Sequence, residues 1–271
     1  MKIVRSSHSA VHGRTSTWLT AALVMLLGSF ILKGVASAEL TARANHDHIT
    51  IDFFYHGSTV SVSGVSDPDA DLVIKISAPE GHQALRKKGK VAGLLWMNVG
   101  NLDYEHVPSL YFLTATKKPE DILALEELDR AVIGYPALAR HAEVKPVSDE
   151  QDKARWFDEF IRYKEASRVY SVSSGNITRS EKDGKHTYYT VFDWPYQASP
   201  GDYTVTVYAV RDKKIVETAE SHVLVEQVGI VKRLADMARG RGALYGTISI
   251  LAALGAGFGV GLVFRKGGGS H

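Results

Sequence analysis

Residues Ala243–Phe264, ALYGTISILAALGAGFGVGLVF, run for 22 positions without a charge, between Arg241 on one side and Arg265-Lys266 on the other. A helix rises about 1.5 Å per residue, so this segment covers the roughly 30 Å hydrocarbon core of a bilayer. It predicts a transmembrane helix, and the rest of the chain must fold beside a membrane. Within the span, Gly255 and Gly259 form one GxxxG spacing and Gly257 and Gly261 another. Small residues let helices approach closely, so these four are candidate helix–helix contacts, with a second copy or with a different membrane protein.

The N-terminal end has a different character. Lys2, Arg5 and Arg14 precede the apolar run Trp18–Leu32, and Ala36-Ser37-Ala38 supplies a small-x-small cleavage pattern. This predicts a signal peptide over 1–38, with retention as an uncleaved anchor left open because Lys33 interrupts the region. Lys232, Arg233, Arg239 and Arg241 outnumber the basic residues after the span. An export signal nevertheless outweighs that bias for a long translocated domain. The tail from 265 to 271 is then expected on the opposite face.

Between the two apolar segments lie about 200 residues, enough for one sizeable domain or two small ones. The chain has no cysteine, so this domain is held by core burial, without disulfides or thiolate chemistry. A net charge of +2 gives no electrostatic case for nucleic acid.

Val60 and Val62 alternate with polar neighbours, as do Leu72, Ile74 and Ile76, and Ser66-Asp67-Pro68-Asp69 between them has turn chemistry. That period of two predicts half-buried antiparallel strands. Leu94–Val99 and Ser109–Thr116 read as further strands. Ile122, Leu125, Leu128 and Val132 then fall at helical spacing behind Pro119. A second helix is expected from Ser148, with Ser148 and Gln151 as a capping box. Strands resume at Val169–Thr178 and Lys185–Trp194, joined at Asp183-Gly184, and continue from Tyr203 to Val225. The expected fold is mainly β: an immunoglobulin-like β-sandwich over 39–227 with a two-helix insertion at about 119–167. A juxtamembrane amphipathic helix is expected over 228–242, with Val231, Leu234, Ala235 and Ala238 on one face and Lys232, Arg233 and Arg239 suited to phospholipid headgroups on the other. A plain charged spacer is the alternative.

No catalytic signature emerges: GxSxG, SxxK and phosphate-cradling loops are missing from the sequence, and no enzyme activity or cofactor is expected. His46, His48 and His56 bring imidazoles close together in sequence, which suits zinc or copper, yet no HExxH or cysteine framework completes a site. Asp67, Asp69 and Asp71 lack the glycine and glutamate a calcium loop needs, so a solvated turn explains them. Arg86-Lys87-Lys88-Gly89-Lys90 is the densest basic run in the exported part. It is either a contact for an anion or a partner surface, or a solvated hairpin edge.

Several segments, taken in order, carry a resemblance. They are Val60-Ser61-Val62-Ser63-Gly64 with Asp71-Leu72-Val73-Ile74, then Leu85–Gly93 through Trp96-Met97-Asn98, and Val107-Pro108-Ser109-Leu110-Tyr111. Pro200-Gly201-Asp202-Tyr203-Thr204-Val205 follows, and Leu244-Tyr245-Gly246 and Phe264-Arg265 frame the span. Together these resemble a transmembrane protein family described mainly from alphaproteobacteria. The resemblance implies a signal–domain–anchor plan in the bacterial inner membrane, with the domain periplasmic and the C-terminus cytoplasmic. It also implies company with sulfite-exporter-like transporters, hence an accessory role. It strengthens Arg86, Lys87, Lys88, Lys90, Trp96 and Asn98 as candidate contacts for a partner or anion. Asp212-Lys213-Lys214 departs from the pattern, where a glycine-containing turn is expected. The expected function is thus a membrane-anchored binding protein that partners an integral membrane protein. The alternative is a periplasmic metal-handling protein using His46, His48 and His56.

Overall fold

The computed structural model describes residues 39–265 apart from Ala92 and Asp183. The expected signal peptide and the final residues of the tail lie outside the described residues. What is described is mainly β, organised as two sheets around a shared core, a helical layer, and a projecting hairpin.

The first sheet is four-stranded and antiparallel, ordered β1 (Arg43–Ala44), β3 (Ser58–Val65), β11 (Lys185–Trp194), β10 (Thr178–Lys182). The second has six strands: β2 (His48–Ile51), β13 (Lys214–Gln227), β12 (Gly201–Arg211), β4 (Asp71–Ser77), β7 (Tyr111–Ala115), β9 (Tyr170–Ser174). Val60 and Val62 from β3, with Tyr188, Phe192 and Trp194 from β11, meet Leu72, Ile74, Ile76, Val205, Val207 and Val223 of the second sheet in one core. Burying each aliphatic side chain there contributes about 1.5–3 kcal/mol, which replaces what disulfides would otherwise supply.

The six-stranded sheet is covered on its other face as well. Val73, Leu113, Tyr208 and Val210 point into a second core under the helices. This is why β7 and most of β12 are buried without alternation. The pairings of β3 and β4 are antiparallel, as their alternation predicts, whereas β2 pairs with β13 and β7 with β9 in parallel. Parallel neighbours need a long crossover, and the helical segment provides one between β7 and β9.

That segment holds four helices rather than two: α1 (Pro119–Ile122), α2 (Leu125–Arg130), α3 (Tyr135–His141) and α4 (Glu150–Ala166). Extended backbone at Leu123 and Ala124 divides the first expected helix. Gly134 at φ +86 admits the turn into α3, a helix the apolar spacing did not signal. The α4 cap is Asp149 rather than Ser148: its Oδ1 accepts from the Asp152 N–H at 2.8 Å, and Asp152 Oδ2 accepts from Ser148 N–H at 3.2 Å. The reciprocal logic of a capping box is kept, shifted by one residue and carried by two aspartates.

A third sheet joins β5 (Glu80–Val91), β6 (Leu95–Pro108) and the short β8 (Glu143–Lys145). After β13 come α5 (Gly229–Gly240), with no buried residue, and α6 (Gly242–Arg265). Residues 242–262 of α6 are long and apolar enough to cross a membrane. The turn at Asp212 and Lys213 uses no glycine; both residues adopt φ near +55 to +60 themselves. Asp tolerates that conformation better than most side chains.

Candidate functional site

The longest strands in the third sheet form an arm, and its two halves differ. In the inner half, Leu85, Leu102 and Tyr104 pack into the helical core. The Tyr104 ring stacks on Phe160 of α4 at 4.4 Å, and its hydroxyl donates to the Trp156 carbonyl at 2.9 Å. Burial in this contact, with the Glu159 charge adding to it, pushes the Tyr104 phenol up to about 12. Strand β8 adds a third rung to β6 at Asp103–Glu105. The arm is therefore fixed at its base.

The outer half packs on nothing. Every residue from 93 to 101 is exposed, including Leu94 (84%), Leu95 (66%), Trp96 (67%) and Met97 (51%). Two glycines shape it. Gly93, at φ +72, admits the tip turn. Gly89 lies within strand β5, and a Cβ there would come within 2.9 Å of Val99 Cγ2. Val99 is the extra residue of a bulge opposite Lys87 and Lys88, and Asn98 Oδ1 closes the bulge by accepting from Gly100 N–H at 3.0 Å. Bulges strengthen the local twist and turn an edge away from further pairing.

The basic run divides by strand alternation. Arg86, Lys88 and Lys90 are exposed, whereas Lys87 turns inward, with Nζ 4.4 Å above the Trp156 ring. Arg155 approaches the same ring at 4.9 Å. Lys90 and Trp96 are direct cross-strand partners, with the ammonium 5.5 Å from the indole centroid. Between arm and α4 runs a groove of about 810 Å³, where Arg86, Lys87, Lys88 and Arg155 face a single acid, Glu159. The candidate contacts Arg86, Lys87, Lys88, Lys90, Trp96 and Asn98 thus belong to one hairpin.

The arm's root and the path to the membrane share one end of the six-stranded sheet. Ser77, just before the arm, is in register with Thr204, which pairs with His222. From that level β13 needs only the residues to Gln227 to reach α5. Within α6, Gly255 and Gly259 lie on one face and Gly257 and Gly261 on nearly the opposite one, about 100° being the turn per residue. A Cβ at any of the four would meet nothing within 4 Å.

His46 and His48 are spent locally. His46 Nδ1 lies 3.1 Å from the Thr59 carbonyl, and His48 Nε2 lies 3.6 Å from Glu226. Together with His56 they do not form a convergent ligand group among the described residues. Glu80, His106 and His141 do converge. Sequence reasoning missed them, because three residues on separate elements leave no local spacing to read. Asp67 and Asp71 have partners of their own, Arg211 for the first and Lys117 for the second.

The described chain thus combines a projecting hairpin, a two-sheet domain and a C-terminal apolar helix. The family model Alph_Pro_TM, described as "Putative transmembrane protein", matches residues 39–266. The chain belongs to this family. No curated protein matches the chain. The family match covers the arm, the helical layer and α6 together, and membrane association through α6 agrees with the family's description.

Proposed function

We propose that this member of the Alph_Pro_TM family is a single-pass inner-membrane protein whose periplasmic domain, an immunoglobulin-like sandwich with helical additions, acts by binding rather than catalysis. Its arm docks on an integral membrane protein. The observation that carries this reading is the exposed apolar tip, Leu94-Leu95-Trp96-Met97, on a basic stem. Aromatic residues and methionine are enriched in interface cores, while a contiguous exposed apolar patch is unusual on a surface that stays solvated. The groove beside Trp156 supplies the cationic rim. Lipid attachment is already provided by α6, so an apolar arm serves recognition better than a second anchor. The two glycine faces of α6 support helix contacts within the same complex. A sulfite-exporter-like transporter, implied by the resemblance, is the first partner to test.

The test is site-specific photo-crosslinking in cells with the probe at Leu95, followed by mass spectrometry. One recurrent membrane-protein adduct, lost on Trp96→Ser, supports the reading. Adducts with lipid alone would overturn it.

A further inference from the structure

We infer that Glu80, His106 and His141 form a binding site for a divalent late transition metal, with zinc as its reference ion, at the root of the arm. The three ligand atoms lie within 4.8 Å of one another. Glu80 Oε1 is 2.8 Å from His141 Nε2, and Glu80 Oε2 is 3.6 Å from His106 Nδ1. With zinc–nitrogen bonds of about 2.0–2.1 Å, tetrahedral ligands stand roughly 3.4 Å apart, so small side-chain rotations complete the geometry. Two imidazoles with one carboxylate select zinc, copper or nickel over calcium and magnesium, which demand oxygen ligands.

The backbone is arranged to bring these groups together. Glu80 begins β5, His106 lies on β6, and His141 ends α3. In the β5–β6 ladder Gly81 pairs with Val107 and Gln83 with Tyr104, leaving His82 opposite both Glu105 and His106. His106 is the extra residue of that bulge and adopts φ +59, a conformation unusual for a residue other than glycine. Bulges re-aim side chains, and this one sets the His106 imidazole beside that of His141, ring centroids 5.8 Å apart. A single carboxylate serves both rings, and a dication between all three suits that arrangement better than two protonated imidazoles would. Glu105, next to His106 on β6, adds negative field, while Glu143 and Lys145 pair with each other.

All three ligands are exposed, so a fourth position opens to solvent. That is the pattern of a site completed by water or by a group from another molecule rather than a closed structural site. Such a metal ties the arm's two strands to α3, so the site lies where arm and helical layer meet. It is independent of His46, His48 and His56.

The test is zinc titration of the purified full-length chain in detergent, after chelator treatment, by competition with a chromophoric chelator. One zinc per chain is expected, with binding weakened more than about tenfold by Glu80→Gln, His106→Gly or His141→Ala, since even outer contacts of metal ligands are worth that much. His46→Ala with His48→Ala should leave it unchanged. His106→Gly accepts the φ of the bulge, so an unchanged melting temperature in that variant shows that lost zinc is not lost fold. No zinc retained by the parent chain, or equal retention in all three ligand variants, would overturn the assignment.

Discussion

The Lys87 ammonium sits 4.4 Å over the indole of Trp156, and this contact marks where the arm changes from a packed strand pair to a free one. Below it, Tyr104 and Phe160 stack at 4.4 Å. Above it, nothing covers the chain from residue 93 to 101. The arm is therefore anchored on α4 at its base, and its outer end is exposed.

Loss of that contact should loosen the arm without unfolding the domain. Trp156→Ala removes the cation–π partner of both Lys87 and Arg155, each worth about 0.5–1 kcal/mol at a partly exposed site. Hydrogen exchange should accelerate at β5 and β6 beyond Lys87 and Asn98, and remain slow in β4 and β12. Uniform acceleration across both sheets would show that Trp156 holds the core rather than the arm.

The tip should behave as a surface made for contact. Leu95→Ser with Trp96→Ser removes two exposed apolar side chains, so stability should change by no more than about 0.5 kcal/mol. Recovery of a membrane partner by crosslinking should fall severalfold. Retained crosslinking in a folded variant would move the contact elsewhere, with the glycine faces of α6 next in line.

The sequence made the strands legible where one face is buried, because Val60 and Val62 alternate with polar neighbours. It also exposed α6, since length and apolarity suffice for a span. It concealed the arm. Gly89 in a basic run reads as part of a hairpin edge, but only the close approach of Val99 explains why that strand position is glycine. Helix α3 escaped because its 7 residues are too few to show a helical period and it opens on Gly134 and Pro136, which read as breakers. The Glu80–His106–His141 group was unreadable for a deeper reason: a bulge and a helix end bring the three together, and neither leaves a fixed spacing. The partition of Arg86–Lys90 into an outward face and an inward Lys87 likewise required the pairing register.

Gly64 should tolerate no side chain. A Cβ there would fall 1.9 Å from the Thr41 carbonyl oxygen and 2.7 Å from the Tyr188 hydroxyl. Thr41 belongs to the segment that leads into β1 and hydrogen-bonds to both N–H and C=O of Val65 across the strand pair. Backbone cannot yield as a flexible side chain does, so Gly64→Ala should cost about 1–3 kcal/mol or more. The measurement is a denaturant midpoint, and an unchanged value would refute this close approach.

Alkaline pH should first strengthen the domain and then weaken it. Burial lowers the Lys164 and Lys75 ammonium groups to about 8, Lys75 despite the opposing pull of Glu80 and Glu220. Lys164 lies against the Phe160 and Tyr170 rings, while Lys75 donates to the Ala131 carbonyl at the end of α2, at 2.6 Å. Between about pH 8 and pH 10 the unfolded chain holds these protons and the folded chain has released them, so stability rises with pH. The gain is roughly 1–3 kcal/mol for the pair after allowance for partial solvation. Buried tyrosines act in the opposite direction. Burial raises the Tyr104 phenol to about 12 and holds Tyr111, Tyr170 and Tyr188 higher still. Their contribution is complete below the ordinary value near 10 and is lost as pH climbs toward the folded values. Denaturant midpoints measured from pH 7 to 11.5 should therefore pass through a maximum near pH 10. Lys164→Met should flatten the rising limb and leave the fall intact. A midpoint that declines steadily from pH 7, or a Lys164→Met profile matching the parent, would show that the lysine keeps its proton inside the fold.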